Sequence, residues 1–169
     1  MSLKFSIYRS SNHYFIKNML ANINYRGTLE DVKGMQFPPG KPKQIVDKTG
    51  MYTIVIFQSG KCRIMGCKSP IQKKHLQYKI RNIKLQSITV TDDIGEKVNL
   101  YKLACQLGRQ CMFEPELFPA LRYLKYNPLC VNVFASGKVV ILGIRCLNYD
   151  ETVNRIKSDI MSMIGQSML

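Results

Sequence analysis

The stretch NVFASGKVVILGI, Asn132 to Ile144, has a counterpart earlier in the chain, IVIFQSGKCRIMGC, Ile54 to Cys67. Phe57, Ser59, Gly60, Lys61 and Gly66 map onto Phe134, Ser136, Gly137, Lys138 and Gly143 at one constant offset of 77. Each copy is an apolar run, a Ser-Gly step and a second apolar run, which predicts a β-hairpin with a tight turn. A second echo pairs Ile-Lys-Asn at 16–18 with Ile-Arg-Asn at 80–82, at an offset of 64. Repetition at two offsets predicts two like units, 1–77 and 78–169, that differ in loop and helix length.

The flanking sequence fills in each unit. MYTIVIF (51–57) and KCRIMGC (61–67) are the predicted hairpin strands of the first, LCVNVF and KVVILGI those of the second. FIKNMLANI (15–23), QYKIRNIKLQSITV (77–90) and LRYLKYN also read as strands. NLYKLACQLGR (99–109) sets Leu100, Leu103, Ala104 and Leu107 at helical spacing. YDETVNRIKSDIMSMIG (149–165) is an amphipathic helix with a stripe of Val153, Ile156 and Ile160. TLEDVKG (28–34) predicts one or two helical turns, with Thr28 as N-cap and Gly34 as stop. PPGKPK (38–43) and EPELFPA (114–120) are loops, since proline removes ladder donors. The pattern is α+β, each unit having a sheet covered by helices on one face and open on the other.

Charge narrows the function. The chain carries 25 Lys and Arg against 11 Asp and Glu, a formal net charge of +14. Residues 1–77 hold 13 basic and 3 acidic residues, so the excess sits mainly in the first unit. Such a balance suggests a polyanionic partner, nucleic acid before membrane, because no basic amphipathic helix with a bulky apolar face is present. The other reading is solubility alone. No apolar run approaches the roughly 20 residues that span a bilayer. MSLKFSIYRSSNHYF lacks the apolar stretch of a signal peptide, so an intracellular location is expected. The 6 cysteines read as buried thiols. Cys62 and Cys67 are expected on opposite faces of a strand, and the Cys105 and Cys111 spacing does not suit a metal either.

Alternation assigns the open faces. In the second unit Asn132, Phe134, Val140 and Leu142 share one side, with Val131, Val133, Val139 and Ile141 toward the helices. The matching set in the first unit is Val55, Phe57, Arg63 and Met65. A lone Phe is more often core than surface. An apolar stripe with a Phe at a hairpin tip, repeated in a basic protein, points instead to a contact surface.

CMFEPELFPALRY, followed by VNVFASGKVVILGI, resembles the second repeat of the TATA-box-binding protein family, and KIRNI resembles the segment that opens that repeat. The similarity covers roughly 78–165 closely and 15–68 more loosely. It implies a saddle of two pseudo-symmetric repeats, a curved antiparallel sheet with its concave side on the DNA minor groove and helices on the convex face. By matching position it implies central amides at Asn18 and Asn82 and an apolar floor of Leu20, Val55, Val140 and Leu142. Phe118 and Phe134 would be the wedge pair of the second repeat, Phe57 and Phe37 that of the first. Glu114, Glu116 and Leu117 match the loop that docks transcription factor IIB.

The implied chemistry is coherent. The minor groove shows only acceptors at A·T pairs, whereas G·C adds an amino group that an apolar floor would meet. Apolar wedges between base steps produce the minor-groove kinking for which this family is the standard example. The implied partners are A/T-rich double-stranded DNA, a IIB-like factor and the RNA polymerase machinery, with no membrane and no cofactor. The implied location is the nucleus, or the cytoplasmic transcription compartment of a large DNA virus.

The sequence departs from the family at several places. Arg63 and Lys84 stand where the family has small apolar residues, Asn132 replaces a leucine and Met65 a threonine. Between Gly66 and Asn82 the chain is too short for the long convex helix of the first repeat. These departures suggest a specialised paralogue or the homologue of a large DNA virus. They also support an alternative function, a protein-interaction module that keeps the IIB-docking loop but no longer binds DNA. An enzyme is the least supported class: Ser-Gly-Lys without an upstream glycine is a turn, and no nucleophile–base pair accompanies it.

Overall fold

The computed structural model describes residues 22–29, 35–37, 39, 44–48, 52–67 and 78–166. The described residues as far as Ile88 belong to one compact unit and those from Thr89 onward to a second, the division falling inside one long strand.

In the first unit the strands are β1 (Asn22–Leu29), β2 (Gln44–Lys48), β3 (Thr53–Phe57), β4 (Lys61–Cys67) and the leading half of β5 (Ile80–Asp93). They lie in the order β2-β3-β4-β1-β5, and β1–β4, β2–β3 and β3–β4 pair antiparallel. β3 is a β-branched run, Thr-Ile-Val-Ile, suited to a pleated and half-buried surface. Ile54, Ile56, Cys62 and Ile64 alternate onto one side, where all are buried. Gly27 sits where a Cβ would lie 2.4 Å from Ile80 Cγ2 and 3.1 Å from Cys62 Sγ. Only a residue without a side chain lets Ile80 pack there.

The TLEDVKG reading meets a correction at its start. Thr28 pairs with Lys61 and Leu29 N donates to Gly60 O at 2.6 Å, so both residues end β1 instead of opening a helix. A ladder to the hairpin outweighs a local capping signal, since propensity is a weak prior against tertiary pairing. Residues 15–21 of FIKNMLANI lie outside the described residues, and Asn22 and Ile23 open β1. The strand β2 was not foreseen. Its QIVDK offers only two apolar residues, and pairing with β3 is what makes it a strand.

In the second unit the order is β5-β9-β8-β7-β6, with β6 (Cys111–Met112), β7 (Ala120–Tyr123), β8 (Cys130–Phe134) and β9 (Lys138–Ile144). Two helices complete it, α1 (Leu100–Leu107) and α2 (Asp150–Gln166). Leu100, Leu103 and Leu107 of α1 are buried, as are Val153, Ile156, Ile160 and Ile164 of α2. With Leu121, Val131, Val133 and Ile141 they make the core. Asn99 caps α1 through Oδ1, which accepts from Lys102 N at 3.1 Å, and Gly108 N closes it onto Ala104 O. α2 is tied down by Lys157, whose Nζ donates to Asp92 Oδ1 at 3.1 Å and to Asp93 O at 2.8 Å. LRYLKYN is a strand only to Tyr123. Beyond it Asn127 N donates to Leu124 O and Leu129 N to Tyr126 O, which turns the chain back toward β8.

The two hairpins that opened the sequence reading are built alike. Thr53↔Met65, Ile54↔Ile64, Val55↔Arg63 and Ile56↔Cys62 in the first become Cys130↔Leu142, Val131↔Ile141, Asn132↔Val140 and Val133↔Val139 in the second. Gly60 N donates to Phe57 O and Gly137 N to Phe134 O, each at 2.9 Å. Both glycines have positive φ, +79° and +89°, as do Gly66 and Gly143. Each turn glycine also accepts from the end of an earlier strand, Gly60 O from Leu29 N and Gly137 O from Ile94 N.

Candidate nucleic-acid interface

The open face of the second unit is the sheet side opposite its helices. Across it runs the row Met112, Arg122, Asn132 and Val140, in register on four neighbouring strands. Phe134 pairs with Ala120, and Leu142 with Cys130. Phe134, Val140 and Leu142 are half-buried while Val131, Val133, Val139 and Ile141 are buried, as alternation requires. Asn132 is 7% exposed, and its Oδ1 accepts from the Cys130 thiol at 3.6 Å.

At the hairpin tip the rings of Phe118 and Phe134 meet edge to face, with centroids 6.2 Å apart and planes at 67°. Phe118 reaches there because the EPELF segment is a tight turn. Leu117 N and Phe118 N both donate to Glu114 O, at 3.0 and 2.9 Å. Phe118 stays 43% exposed, with a large apolar surface offered to solvent beside its partner. The same turn presents Glu114 and Glu116, both exposed, and Leu117 at 81% exposure.

In the first unit the corresponding row is Val46, Val55, Arg63 and Arg26. Val55 is buried, Phe57 and Met65 half-buried, Arg63 and Arg26 exposed. Phe37 is half-buried in an irregular segment. Asn82 is exposed near the start of β5 with φ +52°, a left-handed conformation that asparagine tolerates better than most residues. Asn18 and Leu20 lie outside the described residues.

Lys84, expected on the same open face as Arg63, is an exposed residue of β5. Ile88, Val90 and Asp92 are buried toward the far end of β5, and Ser87 accepts from Asn24 Nδ2 at 3.5 Å. Two cations were missed by the sequence reading. Arg122 lay in a recognised strand whose facing was not worked out. Arg26 lay just ahead of a segment read as helical. The signal for both is period-2 alternation once the neighbouring strand is in place.

The reading of the cysteines as buried thiols holds for Cys62 and Cys67, though not on opposite faces, and fails for Cys105 and Cys146, which are exposed. Cys62 and Cys67 are both buried, because the ladder between β1 and β4 slips between Ile23 and Tyr25 and Gly66 adopts φ +79°. Burial raises both thiols, Cys67 to about 11. Among the described residues no three His, Cys, Asp or Glu side chains gather at metal-binding distance.

Among the described residues, a hairpin built twice in one register, a sheet face left open in each unit and helices on the far side of the second define an α+β protein. The family described as transcription factor TFIID, or TATA-binding protein, matches residues 82–156. The TATA-box-binding protein of Acetabularia peniculus is 28% identical over 150 residues, spanning 76% of this chain and 78% of the relative. Those of Schizosaccharomyces pombe and Acanthamoeba castellanii are 35% and 34% identical over 105 residues, which span 54% of this chain but only 46% and 41% of those longer proteins. The solved structure of the Methanococcus jannaschii TBP superposes with a TM-score of 0.62 over 88% of this chain and 97% of that one, at 24% identity, which establishes the fold. The chain thus shares the fold of that solved structure and resembles the TATA-binding-protein family most clearly over residues 82–156.

Proposed function

We propose that the protein is a transcription initiation factor that binds A/T-rich promoter DNA from the minor groove, kinks it and recruits a IIB-like factor. The observation that carries this reading is the edge-to-face pair of exposed Phe118 and half-buried Phe134 at the tip of an open sheet face. Apolar rings held in that way are suited to part a base step, the unstacking cost being offset by the larger contact surface on bent DNA. Val140, Leu142 and, in the first unit, Val55 form the floor against A·T acceptors, and Asn82 supplies an amide donor. Phe57 is the wedge of the first unit, with Phe37 its partner there. The Glu114–Leu117 turn, stiffened by its two bonds to Glu114 O, is the docking loop for the IIB-like factor.

The proposed role is non-enzymatic, in keeping with the likeness to TATA-box-binding proteins. The RNA polymerase machinery would be met through the IIB-like factor, in the nucleus or in the cytoplasmic transcription compartment of a large DNA virus.

Bending tests the proposal directly. A short duplex labelled at both ends should show a large rise in energy transfer when it is A/T-rich, and little change when it is G/C-rich. No bend on either duplex from folded protein would overturn the kinking mechanism. That outcome would favour the interaction module, which Arg63 on the first-unit face also suits, and binding would then be sought at Glu114, Glu116 and Leu117.

A further inference from the structure

The first-unit face carries a feature that a purely apolar groove floor would not. Arg26 and Arg63 stand directly opposite one another on β1 and β4. Both are exposed, and directly paired residues have Cα atoms only about 4.5–5.5 Å apart. Like charges so placed destabilise a sheet. Thr28 and Lys61 are the next pair but one along the same strands, so a third cation lies on this face toward the hairpin tip. Lys48, paired with Thr53, adds a fourth at the other end.

Nothing described on the face offsets these charges. The carboxylate among the described residues of the first unit is Asp47, which pairs with Ile54 and so lies on the opposite side of the sheet. The second unit is built differently at the matching hairpin position: there Val140 replaces Arg63, beside a buried Asn132.

We infer that Arg26 and Arg63 are a phosphate-binding pair, and that the first-unit face, beside its Phe57 wedge, holds duplex DNA chiefly through its backbone. The inference rests on the proposed DNA binding and adds which residues carry its electrostatic share. A guanidinium on a long stem can keep its methylenes along Val55 while its head reaches a phosphate, where two N–H groups fit two oxygens. Repulsion between the pair in the free protein is relieved when each meets an anion. Contacts of this kind position a protein without reading sequence.

The experiment is the salt dependence of binding to one A/T-rich duplex, measured for the unsubstituted protein, R26Q, R63Q and the double variant. Each single substitution should reduce the slope of log affinity against log salt by about 1, and the double variant by about 2. Arg63→Lys, which keeps the charge, should restore the slope. Without DNA, neither R26Q nor R63Q should melt below the unsubstituted protein, because removing one of two facing cations relieves repulsion. A binding protein whose slope is unchanged in the double variant would overturn this inference and leave the proposed function standing. A lowered melting point for the variants would assign the arginines to the fold instead. Failure of the unsubstituted protein to bind any duplex would overturn both.

Discussion

Gly137 shows how much one residue of the repeated hairpin decides. Its φ of +89° is a conformation that side chains rarely adopt, and a Cβ there would lie 2.1 Å from Glu96 O. The obstacle is backbone, so no flexible side chain can give way. Gly137→Ala should therefore lower stability by about 2 kcal/mol or more, read as a shift of the urea midpoint. Phe118→Ala should largely spare stability and act on binding instead. At 43% exposure the ring adds little to the core, and its loss should cost under about 1 kcal/mol of stability. If it stacks on a base step, the same change should weaken A/T-duplex binding about tenfold or more, since such stacking is worth about 1–3 kcal/mol. Unfolding of that variant would make the ring structural. At this scale period-2 alternation was enough to place Asn132, Phe134, Val140 and Leu142 on one side.

Among the elements, α2 is held by two polar contacts that its apolar stripe does not reveal. Lys157 and Asp92 form an ion pair in which the side chains are only 15% and 10% exposed. Lys157→Ala would leave the Asp92 carboxylate buried without its cation and should cost about 3 kcal/mol in chemical denaturation. Nearer its C-terminal end, Asp159 Oδ2 accepts from Lys125 Nζ and from Tyr126 OH, and these bonds hold its pKa below the usual value. A lowered folded pKa contributes stability that is present above the unfolded carboxylate pKa of about 3.9 and is lost as pH falls through the folded value. Asp159→Asn should thus be less stable than the parent at pH 7, and the difference should close in acid. Urea midpoints at the two pH values measure it. The helix itself was legible from Val153, Ile156 and Ile160, whereas its partners on β5 and the β7–β8 connection were not, being 64 to 65 and 33 to 34 residues away in sequence. β2 and the end of β1 were missed for the same reason: a strand is stabilised by a neighbour, and the neighbour is not local.

For the whole molecule the expected behaviour is electrostatic as well as apolar. With a formal net charge of +14, binding to an A/T-rich duplex should fall linearly in log affinity against log salt, as counterions are released from the backbone. A flat response would leave the charge as a solubility device. The α+β class, the duplicated Ser-Gly hairpin and both helices of the second unit followed from the sequence by itself, because turn chemistry, strand alternation and the helical stripe are short-range patterns. So did the family likeness, carried by EPELFP and the FASGKVV run. Tertiary structure alone decided that Phe118 and Phe134 touch, that Arg26 faces Arg63 and that Cys62 and Cys67 share one face. Each of those depends on register between strands, and register is set by burial and hydrogen bonding with chain that lies far off in sequence.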